Sequence, residues 1–137
     1  MDLRLIQSGV AYVDAAMAAV SWMILLCTYP DFARWRADGF AEAHAAYTRR
    51  VGWVVGPLLL AQLAGHTLSW WQSGNITGVS LVGIAWALTV AWSVPCHRRL
   101  QNEGPTSPAL GSLLHSHAWR TAVWSILASY SIRQAAG

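Results

Sequence analysis

Four long apolar stretches constrain the fold of this 137-residue chain more than any other feature. They cover residues 10–29, 51–71, 76–95 and about 112–132. Crossing roughly 30 Å of hydrocarbon takes about 20 residues of helix, and each stretch reaches that length. Asp14 is the only Asp, Glu, Lys or Arg in the first three, whereas the fourth contains Arg120. The pattern predicts an all-α, integral membrane four-helix bundle that forms a single domain over residues 1–137.

The competing interpretation of such a composition is a soluble all-helical domain. Nine basic and six acidic residues are few for that class, and two of the apolar stretches have no charged face to present to water. All nine basic residues are arginine, which together with abundant alanine is typical of a GC-rich bacterial genome. No basic stripe interleaved with aromatic residues indicates a nucleic-acid partner. The lipid bilayer is therefore the predicted partner, in a bacterial inner membrane.

The distribution of arginine predicts the orientation, because loops rich in Lys and Arg stay in the cytoplasm. The connections after the first and third stretches contain Arg34, Arg36, Arg49, Arg50, Arg98 and Arg99. The opposite side has only Arg4 and Arg133. Both connections are predicted to be cytoplasmic and both termini to lie outside.

The connections differ in character. Residues 30–50 mix charges with Phe32, Trp35, Phe40 and Tyr47, which suits either a short interfacial helix or an early start of the second helix near Phe40. The short uncharged loop at 72–75 predicts that the second and third helices are antiparallel neighbours. Residues 101–111 are rich in Gly and Pro and predict a turn-rich linker. Pro30 and Pro95 are expected to end the first and third helices.

Ionisable side chains inside the predicted spans are the first candidates for a site. Asp14 and His66 are predicted at matching depth, and His44, Gln62 and His66 fall on one stripe of the second helix because 18 residues make five turns. Such a pair can orient a metal ligand, relay a proton or act as a base. The alternative is a neutral Asp14 and His66 that hydrogen-bond to each other or to water near the membrane interface.

The fourth stretch carries a second group of candidates. His117, Arg120 and Trp124 share a helix face, and Trp119 shares the adjacent face with His115. An arginine beside a tryptophan can hold a planar anion, or an aromatic ring by a cation–π contact. The alternative is that Arg120 reaches the headgroups and the tryptophans form an aromatic belt.

The sequence contains no motif that requires a metal or a cofactor. The soft donors near the predicted cytoplasmic ends are Cys27, Cys96, His97, His115 and His117. Their spacing matches no standard zinc or copper motif, so we predict no metal site. A Gly-rich phosphate loop, a nucleophile elbow and a His-Glu-x-x-His motif are also absent from the sequence.

Three segments carry a resemblance to a known group. Residues 92–100 (WSVPCHRRL), 117–125 (HAWRTAVWS) and 42–60 are similar to a pattern in uncharacterised four-helix bacterial membrane proteins. More remotely, the chain resembles the anthrone oxygenase-like group of small membrane proteins, some of which oxidise polycyclic phenols without a cofactor. The resemblance implies that His97, Arg120 and the tryptophans are the residues to test for catalysis.

Two function classes follow. In the first, a pocket lined by His117, Arg120, Trp124 and Trp119, with Asp14 and His66, binds a flat apolar molecule of the quinone or polyphenol type and oxidises it if the resemblance holds. In the second, the chain is an accessory subunit of a respiratory or photosynthetic complex, and its surface contacts lipid, pigment or partner helices.

Overall fold

The computed structural model describes residues 2–137 and is all-α over that part of the chain. Four helices follow one another: α1 (Leu3–Phe32), α2 (Phe40–Ser73), α3 (Thr77–Glu103) and α4 (Ala109–Ala136). The first three, with 30, 34 and 27 residues, are long and apolar enough to cross a membrane. Helix α4 does not meet the same hydropathy criterion, because polar and charged side chains interrupt its apolar stretch. The all-α prediction with four helices is confirmed.

Two π-helical segments interrupt the regular α-helical geometry of α1 and α3. They cover Ile24–Thr28 and Thr89–Ser93, and each ends shortly before a proline, Pro30 or Pro95. A proline removes one helical N–H and its ring clashes with the carbonyl four residues earlier, and a wider turn accommodates both effects. The prediction that the prolines end the helices is therefore wrong: α1 continues to Phe32 and α3 to Glu103.

The first connection contains no separate interfacial helix, which corrects one of the two expectations for it. Residues 33–39 form turns, and Gly39 adopts the left-handed conformation immediately before α2. Arg36 in this connection holds the Asp38 carboxylate in a two-bond pair that lowers the pKa of Asp38. Helix α2 begins at Phe40, so the early start is the alternative that the structure adopts.

The four helices meet at the end where the first and last connections lie. The residues buried together there come from all four helices: Ile24, Tyr29, Phe32, Phe40, Cys96, Leu100, Ala109 and Leu113. We call this the arginine end, because Arg34, Arg36, Arg49, Arg50, Arg98 and Arg99 all belong to it. Further along, α1 packs against α2 and α4, and α3 packs against α2 and α4.

The interior is unusually polar, and the surface is unusually apolar. The buried residues of α2 are Phe40, His44, Gln62 and His66, as the predicted stripe requires. Helix α4 buries His117, Arg120 and further polar side chains. In contrast, Trp53 and Trp71 on α2 are 78% and 83% exposed.

Candidate functional site

A cavity of about 470 Å³ lies near the arginine end and is lined by all four helices. Its walls are mainly apolar, with Met17, Val20 and Ile24 contributed by α1. The cavity reaches the surface between α2 and α3, where the lining residues Gly52, Val94 and Arg98 are exposed. Cavities of roughly 300–1,000 Å³ are the usual size for small-molecule sites. The space is therefore large enough for a ligand of a few fused rings.

Arg120 on α4 supplies the buried positive charge of this cavity. Its guanidinium donates to Nδ1 of His117 at 2.7 Å and to Oγ1 of Thr89 at 3.2 Å. The Nε2–H of His117 in turn donates to the Ser21 carbonyl at 3.0 Å, so Nδ1 is the acceptor of a neutral imidazole. The Arg120 side chain is only 7% exposed, and no Asp or Glu lines the cavity. A neutral histidine therefore orients a buried cation that has no carboxylate partner.

Three hydrogen-bond donors on the cavity wall are buried without an acceptor. They are Nε of Arg120, Nε1 of Trp124 and the hydroxyl of Tyr47. The Arg120 guanidinium carbon lies 5.4 Å from the centroid of the Trp124 ring, so two of these donors are neighbours. A buried donor left unpaired costs about 1–3 kcal/mol, which makes such groups rare without a reason. All three belong to residues that line the cavity, and none has an acceptor within the part of the chain that the structure describes.

A chain of hydrogen bonds crosses the same cavity from α1 to the arginine end. Tyr29 Oη lies 3.1 Å from Nε2 of His97, and Nδ1 of His97 lies 3.1 Å from Nε2 of His44. Nδ1 of His44 lies 2.6 Å from Oε1 of Gln101, and Gln101 Nε2 donates to the Ala41 carbonyl at 2.5 Å. Tyr29 directly follows the first π segment, and His97 follows the second by a few residues.

Asp14 and His66 meet in a separate cluster further from the arginine end. Nε2 of His66 lies 2.9 Å from Oδ2 of Asp14, and Gln62 Nε2 donates to Oδ1 at 2.7 Å. Ser131 donates to Oδ2 as well. The Asp14 side chain is fully buried, and none of these four residues lines the large cavity. The predicted single pocket therefore divides into two sites.

Trp119 does not belong to either site, which corrects the predicted residue set. It is 62% exposed and points away from the cavity, whereas Trp124 is 1% exposed and lines it. Successive residues of a helix are rotated by about 100°, so Trp119 cannot share the wall occupied by Arg120. His115 is exposed for the same reason. His97 and Arg120, the candidates for catalysis, both line the cavity.

The cysteines and histidines predicted near the cytoplasmic ends do not form one cluster. Cys27 is exposed, and Cys96 is buried and donates to Ser112 at 3.3 Å. Over residues 2–137, no group of three or more His, Cys, Asp or Glu side chains is arranged to hold a metal ion. The histidines of the cavity instead bond to one another, to an arginine and to a tyrosine.

Comparison with known proteins adds no relative to this description. No protein-family model, curated protein or solved structure matches the chain. The similarity to the anthrone oxygenase-like group therefore stays a prediction, and function has to be argued from the two sites.

Proposed function

We propose that the chain is a four-span membrane protein whose cavity binds a flat apolar molecule with an acceptor oxygen, of the quinone or polyphenol class. The lipid environment is supported by the exposed apolar surface. Trp53, Leu60 and Trp71 of α2 are 78%, 62% and 83% exposed, and contiguous surfaces of this kind are unfavourable in water. The arginine end then faces the cytoplasm by the positive-inside rule.

Helix α4 is the fourth span in this proposal, although its own hydropathy is lower. Its polar side chains, His117 and Arg120 above all, are buried against the other helices and do not face lipid. Intramembrane charged residues generally face the protein interior or a cavity in this way. The residues that α4 exposes include Trp119 and Ile126, which suit contact with lipid.

The unpaired donors around Arg120 are the single observation that carries the ligand class. Two donors from Arg120 and Trp124 border an apolar cavity that contains no carboxylate. A ligand that satisfies them needs an oxygen acceptor, and a ligand that fills the rest needs an apolar body. A quinone carbonyl or a phenolate on a ring system has both properties. The opening between α2 and α3 would admit such a molecule directly from lipid.

Quenching of tryptophan fluorescence by 1,4-naphthoquinone in mild detergent tests this proposal. Arg120→Met keeps the side-chain length but removes every donor, so the affinity should fall about 10-fold or more, the value of one charged hydrogen bond. Trp119→Phe alters an exposed tryptophan and should leave the affinity unchanged. Equal affinities of wild type and Arg120→Met, with helix content preserved in both, would reject the proposed site.

One observation favours a second function, that of an accessory subunit. Helix α2 buries only four of its 34 residues and exposes a long apolar face that includes Trp53 and Trp71. Such a face fits a partner helix as well as lipid. Purification in mild detergent separates the two functions, because a subunit would co-purify in fixed stoichiometry with other membrane chains or pigments.

A further inference from the structure

The hydrogen-bond chain through Tyr29, His97 and His44 has a single direction. Gln101 donates its Nε2–H to the Ala41 carbonyl, so its Oε1 must accept from His44 Nδ1. In a neutral His44 the other nitrogen, Nε2, is then an acceptor and takes the Nδ1–H of His97. His97 Nε2 is consequently the acceptor for the Tyr29 hydroxyl. Every bond therefore donates from the cavity toward Gln101, which is partly exposed at the arginine end.

The side chains in this series of hydrogen bonds are of the types that a proton path needs. Tyrosine and neutral histidine each donate one hydrogen bond and accept another, so a proton can enter on one side and a different proton leave on the other. The series of hydrogen bonds joins three helices: Tyr29 is on α1, His44 on α2 and His97 on α3. Helix packing alone would be served by any one of these contacts. The three groups instead form one continuous series of hydrogen bonds across the three helices.

The surroundings favour a ligand that loses a proton. The titratable or charged groups that share the cavity with the chain are Tyr47 on α2, Arg98 on α3, and His117 and Arg120 on α4. None of them is a carboxylate, so no group on the wall neutralises the charge of Arg120. An anionic ligand oxygen beside Arg120 supplies the missing negative charge.

We infer that Tyr29, His97 and His44 conduct a proton between a ligand hydroxyl in the cavity and water at the arginine end, and that the ligand is a phenol or hydroxyquinone bound as its anion. This inference rests on the proposed function, because it requires an oxygen-bearing ligand in the cavity.

The transfer balances without any redox change. The ligand O–H bond breaks and its proton goes to the Tyr29 oxygen, while the Tyr29 proton moves to His97 Nε2. The Nδ1 proton of His97 moves to His44 Nε2, which makes His44 an imidazolium and leaves His97 neutral. Because Gln101 Oε1 occupies Nδ1 of the buried His44, the partly exposed Gln101 side chain turns aside for His44 to lose its Nδ1 proton to water. The ligand oxyanion remains opposite Arg120.

A pair of probes and a pH jump test the relay. 2-Hydroxy-1,4-naphthoquinone ionises and its anion absorbs visible light, whereas 1,4-naphthoquinone has no hydroxyl and reports binding alone. Stopped-flow absorbance after a pH jump gives the rate at which the bound hydroxyquinone ionises. Rates are measured at saturating probe, so that any change in affinity is separated from the rate; Tyr29→Phe and His97→Gln should then slow the ionisation about 100-fold, the usual contribution of a positioned proton-transfer group. His115→Gln, an exposed histidine outside the chain, is the matched control.

The outcomes separate the relay from the binding site. A slowed rate at saturating probe in both variants, together with a wild-type rate that is lower in D₂O than in H₂O, supports the relay. Unchanged ionisation rates in both variants, or loss of binding of both probes in both variants with helix content kept, would overturn it. Failure of the wild type to bind either probe would instead reject the proposed function, and the relay with it. If Tyr29→Phe does not fold, His97→Gln decides the question.

Discussion

Removal of the Asp14 carboxylate should destabilise the protein more than any surface change. Gln62, His66 and Ser131 all donate to Asp14, and each is at most 3% exposed, so water cannot replace the lost acceptor. A buried donor left unpaired costs about 1–3 kcal/mol, and breaking a buried network by removing one partner costs about 3–5 kcal/mol. Asp14→Ala should therefore lower the free energy of unfolding by about 3–5 kcal/mol. The corresponding fall in Tm is roughly 10 °C or more for a chain of this size.

Asp14→Asn should be much milder, with a cost of about 1 kcal/mol. Its amide oxygen still accepts from His66 and Ser131. Gln62 has a buried Oε1 without a partner, so a rotation of its amide lets that oxygen accept from the new Nδ2–H. Asp31→Asn, in an exposed pair with Arg34, is the surface control and should change stability by less than about 0.5 kcal/mol.

Calorimetry or tryptophan fluorescence during heating in detergent measures all three variants under one condition. If Asp14→Ala unfolds within a degree or two of the wild type, the hydrogen-bond argument is refuted. If Asp14→Asn is as unstable as Asp14→Ala, the negative charge of Asp14 is what matters, and the argument from acceptors fails.

Two further predictions follow from packing and burial. A Cβ at Gly78 would lie 2.2 Å from Nδ1 of His66, so Gly78→Ala should lower the free energy of unfolding by about 1–3 kcal/mol. Gly83→Ala on the same helix is the control: its Cβ meets no atom within 4 Å, and the variant should be neutral or slightly stabilising. Equal Tm values for the two variants would contradict the close packing at His66. Cys27 should react with N-ethylmaleimide in the folded protein and Cys96 should not, because only Cys27 is exposed; mass spectrometry that finds Cys96 labelled first would contradict the burial.

Hydrophobic runs and helical periodicity predict the number of helices and the face that each helix buries. The second helix shows this most clearly: a spacing of 18 and 4 residues placed His44, Gln62 and His66 on one face, and these are the buried polar residues of α2. The early start of that helix at Phe40 was one of two alternatives, because aromatic and charged residues together suit either.

The large cavity was less predictable because it depends on departures from regular helix geometry. The π segments before Pro30 and Pro95 shift the register of all later residues, which carries Tyr29 and His97 onto the cavity wall. A count at 3.6 residues per turn does not include such a shift. One sequence signal could have indicated this register shift: a proline near the end of an apolar stretch, followed by more helix-forming sequence.

The sequence indicated two groups of candidates, Asp14 with His66 and the residues around Arg120, but it did not determine whether the two groups share one pocket. Trp119 immediately precedes Arg120 and Trp124 follows it by four residues, and the packing of α4 against α1 and α3 decides which tryptophan is buried.

The most direct test of the central claim is to observe the unpaired donors while a ligand binds. Nitrogen–proton NMR in detergent resolves tryptophan Nε1–H and arginine Nε–H groups, and Trp124→Phe and Arg120→Lys assign the relevant signals. On titration with 1,4-naphthoquinone, the Trp124 and Arg120 signals should shift together and saturate, with that of exposed Trp119 unchanged. Saturable shifts at Trp119, with Arg120 and Trp124 unmoved, would contradict a ligand site in the cavity.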